Sequence, residues 1–170
     1  MEQLVLRLKI ILVCLIVWSI NGCGSPFGDS YDEDLANDLA IVKEIIKENP
    51  ILQSAQDSGH YFLPMDTQYS RITGLLNLDG LDLNDSNFYL PKSINNFKLV
   101  KFLSFASNDF SDLPVGTKGK NWKRVVAWFN KICNPSSETV TYLDVLMKDF
   151  GGPYWRDSQH GNDSIPAVVP

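Results

Sequence analysis

Two stretches of the chain space their large apolar residues alike: Arg71 to Asn84 (RITGLLNLDGLDLN) and Val100 to Pro114 (VKFLSFASNDFSDLP). Leu103-Ser104-Phe105 aligns with Leu76-Asn77-Leu78. Asn108 then falls opposite Leu81, Phe110 opposite Leu83, and Leu113-Pro114 opposite Leu90-Pro91 once Asn84 to Tyr89 are set aside. The spacing is neither a clean helix period nor a clean strand period. Between the stretches, Ile94, Phe97, Val100 and Leu103 follow at intervals of three. A repeat with a period of about 27 residues constrains the fold more than any composition does, because no single unit buries its apolar edge and neighbours must stack.

The pattern has a physical rationale. In Leu103-Ser104-Phe105 both apolar side chains point the same way from a short strand, since side chains alternate. The chain then turns, and an asparagine amide can satisfy backbone groups that the turn leaves unpaired inside. The next apolar residue faces the core from the far side. The unit resembles the leucine-rich repeat, L-x-x-L-x-L-x-x-N-x-L-x-x-L-P. Val100 to Pro114 fits it at every apolar position, and Arg71 to Leu83 resembles a first repeat. Leu81 in the asparagine slot is expected to cost that unit its amide.

Residues Thr139 to Phe150 admit a third unit, with Leu143 and Val145 as the strand pair and Lys148 in the asparagine slot; Val, Thr and Tyr favour strand here. The competing reading makes this segment a capping helix. Before it, Trp122, Val125, Val126, Phe129, Ile132 and Cys133 form one helical stripe, so a helix is expected over 121–133. The expected fold class is α/β: a short leucine-rich-repeat solenoid with a small parallel sheet of two to four strands, an N-terminal helical cap, and a helix in the C-terminal half. The repeats span 71–151 and the cap 35–70. Within the cap, Leu35, Leu39, Val42, Ile45 and Ile46 predict an amphipathic helix that Asn49-Pro50 ends. Acidic Asp29 to Asp34 suits its start. Gln53 to Met65 reads as loop, and 152–170 as a polar, loose tail.

The first residues carry a different signal. Arg7 and Lys9 precede an apolar run from Ile10 to Val17, extended to Ile20. A basic start followed by a short apolar core is an export signal. It ends Ile20-Asn21-Gly22-Cys23, which resembles the bacterial lipobox. That resemblance implies a signal peptide over 1–22, lipid attachment at Cys23, a tether over 23–34, and a place in the bacterial cell envelope, facing the periplasm or the surface. An uncleaved anchor and ordinary secretory cleavage remain alternatives. With Cys14 in the leader and Cys23 lipidated, only Cys133 remains, which excludes an internal disulfide scaffold and a cysteine-based zinc site. The net charge of −5 argues against nucleic acid as a partner.

The resemblance also implies where a partner would bind: the outward positions of the strands. By alignment these are Leu75, Phe102 and Tyr142 in one row, and Asn77, Ser104 and Asp144 in the next. A covering cap or loop is the alternative for such a row. Thr117 to Arg124 (TKGKNWKR) is the basic cluster of the chain and reads best as a solvated helix start, since it lacks the first glycine and the Ser or Thr of a phosphate loop. Asp82 to Asn87 lacks the glycine and late glutamate of a calcium loop and reads as turn chemistry. Asp149-Phe150-Gly151 has none of the companions of a kinase metal motif. His60 and His160 accompany no catalytic or metal-ligand pattern, so no catalytic residues, metal or cofactor are expected. The reading that follows is a non-enzymatic protein-interaction module, membrane-tethered and of undefined oligomeric state. The alternatives are a structural, envelope-organising lipoprotein and a small glycan-binding or hydrolytic domain using the acidic loops.

Overall fold

The computed structural model describes residues 29–147 together with Trp155, Arg156, Ser158 and Gln159. The expected signal peptide, Cys23, most of the tether, Lys148 to Phe150, His160 and most of the tail lie outside the described residues.

A helix opens the described chain: α1, Asp29–Glu48. The expected apolar stripe is there with one change. Ile41, Val42, Ile45 and Ile46 are buried, but Leu39 is 43% exposed and Asp38, one residue earlier, is fully buried in its stead. The reason is hydrogen bonding. The Asp38 carboxylate accepts from the backbone N–H groups of Lys98, Leu99 and Val100 at 2.7, 2.8 and 2.9 Å. A buried carboxylate is costly unless such donors surround it. Asn49, just past the C-terminal end of the helix, performs the same office as mid-helix Asp38: its amide donates to the Ile45 and Tyr89 carbonyls and accepts from the Tyr89 N–H. One buried face of α1 is thus bolted to the segment preceding the second unit and to the return path of the first.

The first residues of the expected loop, Gln53 to Asp57, belong instead to a second helix, α2, Ile51–Asp57, which buries Leu52. An antiparallel pair follows, β1 (Met65–Asp66) with β2 (Arg71–Ile72). Backbone bonds from Thr73 to Pro64 and from Asn77 to Phe62 carry the pairing onward, so residues 62–64 cover the free edge of the next strand.

The remaining strands are β3 (Leu75–Asn77), β4 (Phe102–Ser104) and β5 (Arg124–Val126), a parallel sheet in that order. Leu76, Leu103 and Val125 stand side by side in register, and all three are fully buried. Each contributes about 1.5–3 kcal/mol by leaving water. Ladder bonds run on past the strands, from Leu78 to Ser104, Phe105 to Val126, Gly80 to Ala106 and Ser107 to Trp128.

Residues 121–133 are therefore not a helix. They are the third strand unit, with Trp122, Val125, Ala127, Asn130 and Ile132 buried where Val100, Leu103, Phe105, Asn108 and Phe110 stand in the second. Thr139 to Met147 is not the third strand either. It belongs to a helix, α3, Ser137–Met147, packed on β5. Ser136 explains the start: its hydroxyl accepts from the Thr139 N–H at 3.2 Å, an N-terminal cap. That cap and the burial of Thr139 and Leu143 outweigh the strand preference of Val, Thr and Tyr. The fold is mixed α/β, with three helices and two small sheets among the described residues.

Two buried amides tie the units together. Asn108 accepts from the Leu81 and Leu83 N–H groups and shares its amide hydrogens among the Leu78, Phe105 and Ala106 carbonyls. Asn130 accepts from the Phe110 N–H and donates to the Phe105, Ala127 and Trp128 carbonyls. Each reaches back one unit. The first unit consequently loses less through Leu81 than expected, because Asn108 supplies its Leu78 carbonyl from the neighbour. Behind the turns, Gly116 at φ +93° lets the return paths meet: a Cβ there would lie 2.0 Å from the Leu90 carbonyl oxygen. Leu90 N–H bonds the Val115 carbonyl at 2.7 Å beside it.

Candidate interaction face

Alternation along the three strands leaves two rows that do not enter the core. The register places Leu75, Phe102 and Arg124 in the first, and Asn77, Ser104 and Val126 in the second. Four of the six expected positions are thus brought together, and two are not. Tyr142 and Asp144 lie on α3, so Arg124 and Val126 take their places. The Tyr142 hydroxyl sits 3.4 Å from the Thr117 and Lys120 carbonyl oxygens, and burial pushes its pKa up to about 12. Its ring lines an open hollow of about 580 Å³ with Asn121, Thr141 and Val145. Asp144 accepts from the Trp155 indole and from Arg156, each at 2.9 Å.

The rows are half-buried rather than open, apart from Ser104, which is buried. Ser104 donates to the Asp79 carboxylate at 2.6 Å, and Asp79 also accepts from the Ala106 N–H. Asn77 accepts from the Asp79 N–H at 3.1 Å. His60, whose role the sequence left open, places Nε2 2.9 Å from the Asn77 carbonyl oxygen and its ring edge-on to Phe62. These polar groups hold one another in place and leave Leu75, Phe102 and Val126 as the apolar content of the face.

The basic cluster is not a helix start. Thr117–Gly119 forms one 3-10 turn, and Lys120 beyond it is buried. Its ammonium lies 5.7 and 5.5 Å from the Phe97 and Trp122 ring centres. Burial lowers its pKa first, and the charge of Lys101 lowers it further. Lys101 and Lys123 adjoin: the Lys123 N–H bonds the Lys101 carbonyl. The acidic loop around Asn84 is spent on its own turns, with Asn84 accepting from Ser86 and Asn87 accepting from Asn84. Asp85 accepts from Ser111. Among the described residues no three His, Cys, Asp or Glu side chains gather as metal ligands, and no helix is long and apolar enough to cross a membrane.

Arg124 and Val126 escaped the sequence reading, and so did Trp128, which continues the outward pattern of β5. The signal was present in Asn130, which stands in Trp122-x-x-Val125-x-Ala127-x-x-Asn130-x-Ile132 as Asn108 stands in its own unit. Comparison with known protein families, with curated proteins and with solved structures returns no match.

Proposed function

We propose that this chain is a protein-interaction module without chemistry of its own, built as a short leucine-rich-repeat stack and held at a bacterial envelope membrane by a lipid on Cys23. The observation that carries the interaction reading is the pair of in-register rows outside the core, with apolar Leu75 and Phe102 side by side. Parallel strands lie about 4.8 Å apart, so these side chains form a continuous stripe on a backbone that cannot shift singly. Half-buried apolar surface on a rigid frame gains more on binding than a mobile loop does, because little ordering entropy is lost. The polar bonds of Ser104, Asp79 and Asn77 fix the stripe and carry no reactive group.

The test uses the full chain in detergent and a displayed library of random twelve-residue peptides. Leu75→Glu and Phe102→Glu should each weaken the enriched peptides at least tenfold while the melting temperature stays within a few degrees of the parent. Undiminished binding by both variants would remove the face from consideration. The anchor is checked separately: cells fed labelled palmitate should label the parent chain and leave Cys23→Ser unlabelled.

A further inference from the structure

The hairpin of β1 and β2, at the first edge of the fold, carries apolar side chains that the core does not use. Met65 is 49% exposed, and Tyr69, in the turn, is 58% exposed. Tyr61, which leads into the hairpin, is more exposed still. Of the large hydrophobic side chains exposed among the described residues, three thus fall within positions 61–69. The turn is held: the Asp66 carboxylate accepts from the Gln68 and Tyr69 N–H groups at 2.9 and 3.3 Å. Tyr69 is therefore presented on fixed backbone, and little ordering entropy opposes its burial in a partner.

The chain enters the fold beside this hairpin. Tyr31, in the first turn of α1, accepts from the Ile72 N–H at 3.0 Å, and the Arg71 guanidinium lies 5.6 Å from the centre of the Tyr31 ring. Cys23 precedes Asp29 by six positions, at most about 21 Å of extended chain. A lipid on Cys23 keeps the hairpin within that reach of a bilayer, at an effective concentration on the order of millimolar. Even a weak contact is then populated. A patch of two or three side chains falls well short of the roughly 800 Å² that each partner buries in a stable protein complex. A lipid surface demands no such matched shape, and tyrosine, with an apolar ring and a polar tip, suits the headgroup layer. The exposed Asp32 and Glu33 next to Tyr31 disfavour anionic headgroups.

We infer that Met65 and Tyr69 enter the headgroup layer of the membrane that holds the chain, at a zwitterionic lipid surface. The stack then stands on its first edge, with α3, packed on β5 at the other edge, farthest from the bilayer. This inference rests on the membrane anchor proposed above.

The full chain with its lipid, placed in vesicles of phosphatidylethanolamine and phosphatidylcholine brominated near the headgroup, tests it. Tyr69→Trp adds indole emission that the bromine should quench by about half or more, if the ring lies at headgroup depth. Val145→Trp, at an exposed position on α3, should lose less than about a tenth, since its distance exceeds contact range. Met65→Asp in the Tyr69→Trp chain should reduce the quenching about threefold or more, because a carboxylate resists leaving water, with circular dichroism unchanged. Replacing phosphatidylcholine by phosphatidylglycerol should weaken it, and added salt should restore it. Unquenched Tyr69→Trp in a chain that still floats with the vesicles would overturn this inference and leave the anchor standing. A chain that does not float would overturn both. Equal quenching of Tyr69→Trp and Val145→Trp would mean that no edge faces the bilayer and would overturn it, as would quenching indifferent to Met65→Asp. Quenching that strengthens with phosphatidylglycerol would assign the contact to cations and overturn the zwitterionic surface.

Discussion

The middle of the sheet and its last edge solve one problem with different residues. Between the first and second units, Asn108 sits in the turn itself and bonds both. Beyond the third unit no asparagine holds the corresponding slot of a further strand among the described residues. Gln159, which lies beyond α3 in the chain, does the work instead. Its amide donates to the Ala127 carbonyl at 3.0 Å and its oxygen accepts from the Ile132 N–H at 3.2 Å. Ala127 and Ile132 are the third-unit counterparts of Phe105 and Phe110, which Asn130 serves. The Phe129 N–H likewise finds the Ser158 carbonyl, where Ser107 N–H finds Trp128. An amide is thus required at every level, but only inside the stack does the repeat itself supply it. At the edge it comes from a borrowed strap.

The largest effect should follow from breaking the interior member. Asn108→Ala leaves buried carbonyls and N–H groups of two units unpaired, at about 1–3 kcal/mol each where no water enters. The expected loss is roughly 3–5 kcal/mol, read as a cooperative fall of about 10 °C or more in melting temperature. Gln159→Ala removes bonds at an edge that water can reach, so the expected loss is about 1–2 kcal/mol. It should be confined in amide hydrogen exchange to Phe129 and Ile132. Equal losses in the two variants would mean that the strap holds the edge as firmly as the repeat holds the interior.

This difference also explains what could be read in advance. The second unit was legible because Asn108, Phe110 and Leu113-Pro114 all kept their intervals. The third was hidden by coincidence. Trp122, Val125, Val126, Phe129, Ile132 and Cys133 also satisfy a helical period, yet only part of that set is buried: Phe129 is exposed and Val126 faces outward. Asn130, a weak helix former whose interval matched Asn108, was the arbiter. Tyr142 and Asp144 were misplaced with the false third strand. The helix-starting cap at Ser136 could have corrected them, since a serine followed by Glu138 and a buried Thr139 opens a helix more readily than a strand. The roles of Asp38 and Gln159 were not legible at all. Both act on backbone groups far along the chain, and no local interval encodes such a contact.

The smallest effect expected concerns the strap's second fastening, and it depends on pH. Burial alone would raise the Asp144 carboxyl, but hydrogen bonds from Arg156 and Trp155, and the charge of Arg156, hold it below the ordinary value of 3.8. A carboxyl depressed in the folded state stabilises the fold above its unfolded value, and that contribution is lost as pH falls through the folded one. Trp155 and Arg156 should therefore loosen from α3 only below about pH 3.8, while at neutral pH the bridge is complete. The side chain of Asp144 is 43% exposed, so solvent screens the bridge and the whole-domain stability should scarcely move. The measurement is indole fluorescence against pH, taken as the difference between the parent and Trp155→Phe, with circular dichroism to show that the domain stays folded. A transition below 3.8 that vanishes in Asp144→Asn would place the latch at this carboxylate. A transition that survives the substitution would assign the strap's hold to Gln159 and the Phe129 backbone alone, and the borrowed edge would then be fastened by amides, as the interior is.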